Sequence, residues 1–356
     1  MNPFTYTAPR DLEGALCALS VTGGRPPVNS IAQPPRFVAG GTNLLDLMKE
    51  GVARPAALID VNHVLESGIS VSDDGELRLG AAGRNAATAR HAQVRAGWPL
   101  LAQAILAGAS PQIRNMASNA GNLLQRTRCH YFYDVATPCN KRAPGTGCSA
   151  IGQLARQHAI LGASAHCIAT HPSDMCVALA ALDAVVHVRS RRGERRIDFA
   201  SFHRLPGDLP DVDTTLEADE LITAITLPPA PALAARSAYL KVRERASYAF
   251  ALVSVAAALD VGPDGRIRAA RVALGGVAHK PWRVPEAEAS LHGAEPGDEA
   301  FEALAVRLLE GAQAQGSGVG NNAFKITLAR RAVVRAMQQA MAGTRVVGAA
   351  QEETDA

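Results

Sequence analysis

Four cysteine thiols in the first half of the chain are candidate metal ligands. Cys129, Cys139, Cys148 and Cys167 follow the spacing C-x9-C-x8-C-x18-C among Gly, Pro, Thr, Asn and Arg residues. That surrounding sequence has no regular apolar period that would bury them as core residues. A thiol with a pKa near ~8.5 becomes a ligand when a metal centre replaces its proton. The stretch therefore predicts a metal centre.

The spacing favours iron–sulfur over zinc. A [4Fe–4S] cluster takes four thiolates from different directions, and loops broken by Pro138, Pro144, Gly145 and Gly147 can supply them. Structural zinc sites usually hold thiolates as C-x2-C knuckles, and this stretch of sequence contains none. Zinc stays open as an alternative, and disulfides are a weaker alternative in an oxidising compartment.

The basic residues and the histidines near the cysteines have different predicted roles. Basic residues are predicted to offset the negative charge of an oxidised cluster: Arg126, Arg128, Lys141 and Arg142. Nearby histidines are not predicted as ligands because four cysteines complete the set: His130, His158, His166 and His171. His158 is interpreted as a packed residue at a strand end, and Cys17 and Cys176 as buried core residues.

A glycine turn forms a second candidate site. Gly40-Gly41-Thr42-Asn43 follows the short apolar run 36–39 and precedes the helix-like run 44–49. Glycines allow a ligand to approach the backbone, and N–H groups at a helix start attract anions. The turn therefore fits a pyrophosphate, although a tight strand-to-helix turn without a ligand has the same sequence.

The segment 110–123 combines small polar and amide side chains with apolar Ile113, Met116 and Leu123. Such a segment offers many hydrogen-bonding groups in a small volume. We interpret it as a half-buried wall on which a polar ligand lies over an apolar floor.

The organisation of the chain indicates more than one domain. A length of 356 residues exceeds what one hydrophobic core usually organises. Residues 1–62 alternate strand and helix patterns as a β-α-β-α-β unit, and residues beyond 236 indicate an antiparallel sheet with helices on one side. The sequence predicts an α+β protein with its glycine turn at the carboxyl end of a strand.

Composition narrows the classes of function. The net charge of +3 is small and the basic residues are scattered, so no nucleic-acid footprint is expected. No stretch reaches the ~20 apolar residues of a membrane span, and the N-terminus lacks the pattern of a signal peptide. By its own sequence the chain is expected in the cytoplasm, and a periplasmic location would require co-export with a signal-bearing partner subunit.

Several motifs together resemble the FAD-binding subunit of the molybdenum hydroxylases, the xanthine dehydrogenase and carbon monoxide dehydrogenase flavoprotein family. The motifs are residues 38–45 with the glycine turn, Arg114-Asn115 with Ala120-Gly121-Asn122, and Ser173-Asp174. Residues 241–251 look like the opening of that family's C-terminal domain. The motifs span nearly the whole chain in the expected order.

The resemblance implies a two-part FAD-binding domain, similar to that of vanillyl-alcohol oxidase, with an iron–sulfur insert and a C-terminal α+β domain. The implied domains are residues 1–62 and 63–235, with the insert at 123–172, then residues 236–345 and a disordered tail at 346–356.

The resemblance also implies the FAD contacts: Phe37, Val38, Ala39, Gly40, Gly41, Thr42, Asn43, Leu44, Ser110, Ile113, Ser118, Gly121, Asn122, Asp174, Ile222 and Lys241. Asp174 would hydrogen-bond the dinucleotide, Ile222 would pack near the isoalloxazine and Lys241 would approach the ring edge. Without a ligand, Asp174 would instead cap a helix, Ile222 would be a core residue and Lys241 would be a solvated charge on a strand.

The cysteines lie in a fifty-residue separation between the Gly-Asn and Ser-Asp motifs, which adjoin in most of the family. A similar insert accompanies a [4Fe–4S] cluster in the bacterial aldehyde oxidoreductase branch, which this insert resembles most. The resemblance therefore implies cluster ligation by Cys129, Cys139, Cys148 and Cys167.

The implied function is electron transfer within a heterotrimer. A large molybdopterin-binding subunit would oxidise an aldehyde, a small [2Fe–2S] subunit would carry electrons, and FAD in this chain would pass them to an external acceptor. No acid–base pair or nucleophile motif is found, so no catalytic residue is predicted. The alternatives are a flavoprotein with a zinc- or disulfide-stabilised docking insert and a stand-alone flavin oxidase.

Overall fold

A computed structural model describes residues 1–21 and 33–345 of the chain. The predicted tail at 346–356 lies outside the described residues. The predicted α+β architecture is confirmed, while the domain limits stay predictions.

The N-terminal region contains a parallel sheet with strand order β1-β3-β2. Apolar residues of α1, including Ala15 and Leu16, pack with Ile59 and Val61 against this sheet. The predicted β-α-β-α-β unit is present, and the glycine turn follows β2 as expected. The elements are β1 Thr5–Thr7, α1 Leu12–Val21, β2 Arg36–Val38, α2 Leu44–Lys49 and β3 Ala57–Asp60.

The second region is built on an antiparallel sheet with strand order β4-β5-β8-β6-β7. Its strands are β4 Ile69–Val71, β5 Leu77–Gly80, β6 Val185–Ser190, β7 Gly193–Asp198 and β8 Leu221–Leu227. Buried and half-buried residues alternate along β6, as expected for a strand with one face on the core. The register shifts between His187 and Val188, where β6 pairs with β8.

The helices of this region pack on its sheet, on one another or, for the short helix at 130–133, beside the N-terminal region. They are α3 Asn85–Arg90, α4 Ala92–Gly97, α5 Pro99–Ala107, α6 Pro111–Met116, α7 Asn119–Leu123, α8 His130–Tyr133, α9 Asp174–Ala181 and α10 Phe199–Phe202. Every residue of α9 is buried, which explains its wholly apolar continuation after Asp174. Between α8 and α9 the insert runs as turns and irregular backbone, as its Gly and Pro content predicts.

The C-terminal region is an antiparallel sheet with strand order β12-β11-β10-β9. It comprises α11 Pro231–Ala234, β9 Ser237–Val242, β10 Val253–Val261, β11 Ile267–Gly275, β12 Trp282–Arg283, α12 Pro285–Ala289, α13 Asp298–Leu308 and α14 Phe324–Met341, with a short 3-10 turn at Gly318–Gly320.

The two faces of this sheet have different partners. The helix α14 packs on β9 and β10 and against α13, as the predicted helix layer requires. The other face receives α5 and α9 of the second region, so β10 is buried on both sides. This explains why β10 is an almost continuous apolar run rather than an alternating one.

In the parts of the chain that the structure describes, no helix has both the length and the apolar character that a membrane crossing requires.

Candidate cofactor site and cysteine centre

A cavity of about 1130 Å³ lies where the N-terminal region, the second region and the start of the C-terminal region meet. Pockets for drug-sized ligands measure roughly 300–1,000 Å³, so this one has room for a ligand as large as a dinucleotide. The glycine turn, α7, the start of α9 and β9 all contribute to its wall.

The structure brings nearly all the predicted FAD contacts to this wall. They are Phe37, Val38, Ala39, Gly40, Gly41, Thr42, Asn43, Leu44, Ile113, Ser118, Gly121, Asn122, Asp174, Ile222 and Lys241. Ser110 does not line the cavity; its hydroxyl caps α6 by accepting from the backbone N–H of Ile113 at 3.3 Å. The FAD-binding roles of these residues stay predictions.

The two glycines of the turn are required for reasons that the sequence did not predict. A side chain at Gly40 would place its Cβ 1.9 Å from the carbonyl oxygen of Met116, so this glycine allows the turn to pack against the second region. Gly41 has φ 71°, a left-handed conformation that favours glycine. The turn shape therefore depends on protein contacts as well as on any ligand.

Asn43 shows a donor that a phosphate could satisfy. Its Oδ1 accepts from the backbone N–H of Arg126 at 2.9 Å, which fixes the amide. Its Nδ2 is buried and has no hydrogen-bond partner among the described residues. A buried unpaired donor costs about 1–3 kcal/mol, so a ligand acceptor at this point of the wall would be stabilising. The residues present thus fit a phosphate-bearing cofactor such as FAD.

The Gly-Asn and Ser-Asp motifs, which the insert separates in sequence, lie next to each other in space. The hydroxyl of Ser173 donates to Oδ1 of Asn122 at 2.5 Å, and Nδ2 of Asn122 donates to Oδ1 of Asn85 at 2.6 Å. Ser173 also caps α9 by accepting from the backbone N–H of Cys176 at 3.1 Å. The insert therefore leaves and rejoins the cavity wall at neighbouring positions.

A buried ion pair connects this wall to the C-terminal region. Nζ of Lys241 lies 2.8 Å from Oδ2 of Asp174, and the two side chains are 5% and 7% exposed. The phenol of Tyr239 donates to Oδ1 of Asp174 at 2.7 Å, and burial together with that carboxylate raises the pKa of Tyr239. Asp174 and Lys241 line the cavity, but each already has a protein partner.

The insert brings the four cysteines together. Cys139 and Cys148 face each other across an antiparallel bridge, where Asn140 accepts from the backbone N–H of Gly147 at 2.8 Å through its side chain. Cys129 lies at the start of α8, and Cys167 is 4% exposed. All four are free thiols, so the structure gives no support to the disulfide alternative.

The thiols also interact electrostatically. Burial, with smaller contributions from Cys139 and Cys167 and against opposing backbone N–H groups, raises the pKa of Cys129 to about 12. Burial likewise raises the pKa of Cys167 to about 11, with Cys148 and Cys139 adding to it and Lys141 opposing it. These thiols resist ionisation unless a metal takes the place of the proton.

The four thiols do not form one tight group. Within the described residues, no three of these sulfurs lie within 4.8 Å of one another. A tetrahedral zinc with Zn–S bonds near 2.3 Å would hold them roughly 3.8 Å apart.

The basic residues near the cysteines have partners that the sequence did not predict. Arg126 lies 2.7 Å from Asp213, and Lys141, almost fully buried, pairs with the same carboxylate. Arg128 lies 3.2 Å from Asp46. Arg142 donates to the backbone carbonyls of the α8 turn and the segment after it. Arg126, Arg128 and Lys141 thus connect the insert to its surroundings, and Arg142 braces it internally; that the four offset cluster charge stays a prediction.

The prediction for His158 was right about its packing but wrong about a strand end, because residues 151–160 form turns, bends and irregular backbone. The side chain is buried, as expected, but its Nε2 lies 3.1 Å from Sγ of Cys129. Arg36 and Gly108 also line the large cavity, although they were not among the predicted contacts. No periodic pattern distinguished these residues, because their roles depend on contacts between distant segments.

Comparison with known families is consistent with this geometry. Residues 2–230 match the family model described as the FAD binding domain in molybdopterin dehydrogenase. Residues 238–340 match the CO dehydrogenase flavoprotein C-terminal domain. The first match spans the N-terminal and second regions with their two sheets, and the second match spans the C-terminal sheet and its helices.

The chain is also similar to curated proteins over most of its length. It is 48% identical over 344 residues to the aldehyde oxidoreductase FAD-binding subunit PaoB of Escherichia coli (strain K12), covering 96% of this chain and 99% of that protein. It is 25% identical over 318 residues to the putative xanthine dehydrogenase FAD-binding subunit XdhB of the same strain, covering 88% and 92%.

A solved carbon monoxide dehydrogenase from Hydrogenophaga pseudoflava has the same fold, with a TM-score of 0.71 at 24% identity over 96% of this chain and 99% of that one. Quinoline 2-oxidoreductase from Pseudomonas putida 86 matches with a TM-score of 0.69 at 23% identity, covering 96% and 98%. With the family models and the 48% identical relative, these findings show that the chain belongs to the FAD-binding medium subunits of the molybdenum hydroxylases and is an oxidoreductase subunit.

Proposed function

We propose that this chain is the FAD- and [4Fe–4S]-binding electron-transfer subunit of a molybdenum-containing aldehyde oxidoreductase. The observation that carries the proposal is the 48% identity to an aldehyde oxidoreductase FAD-binding subunit across nearly the full length of both chains. When bound, FAD and the cluster supply redox chemistry, taking up electrons and passing them to an external acceptor.

The chain's own residues bind and orient the FAD. Gly41 gives the turn its left-handed backbone, and Asn43 offers its unpaired amide to a phosphate oxygen. Asn122, held by Asn85 and Ser173, presents the opposite wall. Ile222, fully buried on β8, supplies an apolar surface suited to the isoalloxazine.

Cys129, Cys139, Cys148 and Cys167 hold the [4Fe–4S] cluster in this proposal. Their support is that all four are free thiols, that Cys139 and Cys148 pair across a bridge and that the charges of the thiols act on one another. Because the insert is attached at Asn122 and Ser173, the cluster would lie beside the FAD cavity.

The partners in this proposal are a large molybdopterin-binding subunit and a small [2Fe–2S] subunit, forming a heterotrimer. The protein sets the distances between the cofactors and their reduction potentials. Electron transfer itself needs no acid–base residue.

Analysis of the purified protein tests the proposal. We expect one FAD per chain, flavin absorbance over a broad iron–sulfur band near ~400 nm, and about four iron and four sulfide per chain. Zinc in place of iron would give no such band because its d shell is filled. Zinc, or the absence of metal, would overturn the cluster assignment and support a docking insert. Failure to oxidise aldehydes together with the partner subunits would overturn the substrate class.

A further inference from the structure

A buried histidine contacts one of the cysteine thiols. Nε2 of His158 lies 3.1 Å from Sγ of Cys129, and the side chain of His158 is 2% exposed. The ring of His130 packs edge-on against it, with centroids 5.7 Å apart. His158 is therefore confined next to the sulfur.

The C-terminal region holds the backbone of His158 in place. Lys325, on α14 and fully buried, donates from Nζ to the carbonyl of His158 at 2.8 Å and to the carbonyl of Gly276. Nδ2 of Asn322 donates to the same His158 carbonyl at 3.0 Å. These bonds come from a different sheet layer, so the position of His158 does not depend on the insert alone.

A thiolate at Cys129 determines which ring nitrogen of His158 carries the proton. A thiolate is an acceptor only, so a contact of this length requires the proton on Nε2. Nδ1 of His158 is buried without a hydrogen-bond partner among the described residues, so no protein carbonyl there competes for the proton.

We propose that His158 is a positioning residue for the iron–sulfur centre, donating an Nε2–H hydrogen bond to the Cys129 thiolate that raises the reduction potential of the centre. The inference rests on the proposed function, since it requires a cluster on the four cysteines. Reduction adds one electron and no proton to the centre, and the added negative charge extends onto the thiolate sulfurs. A fixed N–H donor stabilises that reduced form more than the oxidised form.

The location of this bond relates it to the flavin. A small cavity of about 30 Å³ is bordered by Cys129 and His158 on one side and by Ser173 and Asp174 on the other. Ser173 and Asp174 also line the large cavity proposed for FAD. Cys129 is thus the one of the four cysteines that borders this cavity, and a change in the potential of a cluster held there would alter electron exchange with a bound flavin.

The test uses the assembled complex and its redox-active signals. We expect His158→Phe to keep its iron content and to show a lower midpoint potential of the [4Fe–4S] signal in a titration followed by electron paramagnetic resonance. His158→Gln, which keeps an N–H donor, should restore part of the shift. The matched control is His187→Phe, which alters a half-buried histidine on β6 that lies 3.0 Å from Oγ1 of Thr226, outside the insert, and should leave the midpoint near the wild-type value.

A second measurement needs no variant. In protein labelled with ¹⁵N-histidine, pulsed electron paramagnetic resonance of the reduced cluster should detect a weakly coupled histidine nitrogen. A missing coupling, or an unchanged midpoint in an iron-replete His158→Phe, overturns the inference and leaves the proposed function intact. Wild-type protein without iron overturns the proposed function itself, so the two failures are distinguishable.

Discussion

The hydroxyl of Ser173 donates a 2.5 Å hydrogen bond to Oδ1 of Asn122, although fifty residues separate them in the chain. This bond closes the gap between the Gly-Asn and Ser-Asp motifs at the cavity wall. The insert with its four cysteines is thereby tied to the cavity at both ends, and the integrity of the insert and of the cavity should be coupled.

Replacing Ser173 by Ala tests this coupling. The change removes the cap of α9 and the bond to Asn122, so we expect a loss of about 1–2 kcal/mol in the free energy of unfolding and weaker FAD retention. Ser72→Ala is the control because it removes a hydroxyl that accepts from the backbone N–H of Glu76 at 3.1 Å, in a turn that does not line the cavity. Urea unfolding and FAD content of both variants give the answer; equal FAD loss in the two would contradict the coupling.

Gly41→Ala should distort the turn at the cavity. A residue with a Cβ pays about 1–2 kcal/mol in a left-handed conformation, and here the Cβ would also lie 2.7 Å from the Leu45 side chain. We expect reduced FAD per chain after gel filtration. Gly97→Ala, at a helix position with open space around it, should retain FAD fully. Full FAD in Gly41→Ala would show that the turn does not bind the cofactor.

Cys139→Ser should remove the cluster while some FAD remains bound. A serine hydroxyl is a poor replacement for a thiolate ligand, so iron per chain should fall to less than half of the wild-type value. The control is Cys176→Ala, which changes a fully buried cysteine of the core and should keep its iron. Unchanged iron in Cys139→Ser, measured with sulfide on the same sample, would exclude Cys139 as a ligand.

Asp174→Asn should destabilise the junction between the second and C-terminal regions. The change leaves Lys241 buried without its counter-charge, which costs about 3–5 kcal/mol when one partner of a buried pair is removed. Glu302→Gln breaks an exposed pair with Arg330 and should change the free energy of unfolding by less than about 1 kcal/mol. A similar small effect in Asp174→Asn would contradict the burial of the pair.

Asp213 predicts a pH dependence. Burial alone would raise the pKa of its carboxyl, but the charges of Arg126 and Lys141 outweigh burial and hold that pKa well below its usual range. A depressed folded-state pKa stabilises the protein above the unfolded-state pKa near ~3.9, and this contribution is lost as the pH falls through the folded-state value.

Accordingly, Asp213→Asn should lower the free energy of unfolding by about 3 kcal/mol at pH 7, because Lys141 stays buried without a counter-charge. Below about pH 4 the difference from wild type should shrink. Urea unfolding of both proteins after removal of iron, between pH 7 and pH 3, measures it. A difference that is constant with pH would show that the carboxylate charge is not what stabilises this site.

Local patterns sufficed for the elements and for the types of group that bind cofactors. The β-α-β-α-β unit, the turn after β2 and the irregular insert were predictable because backbone periodicity, glycine and proline act over a few residues. The spacing of the cysteines and the split between two polar motifs were likewise visible in the chain and predicted a metal-binding insert beside a cofactor loop.

Only the tertiary structure decided the partners. Asp174 was predicted to hydrogen-bond the flavin dinucleotide and Lys241 to approach the ring edge; both line the cavity, and the structure adds that their charged atoms pair with each other. His158, a packed residue in the sequence, lies beside Cys129, and Arg126 and Lys141 meet Asp213 from more than sixty residues away. Such contacts form between segments distant in sequence, where no local period records which charge or donor will be the neighbour.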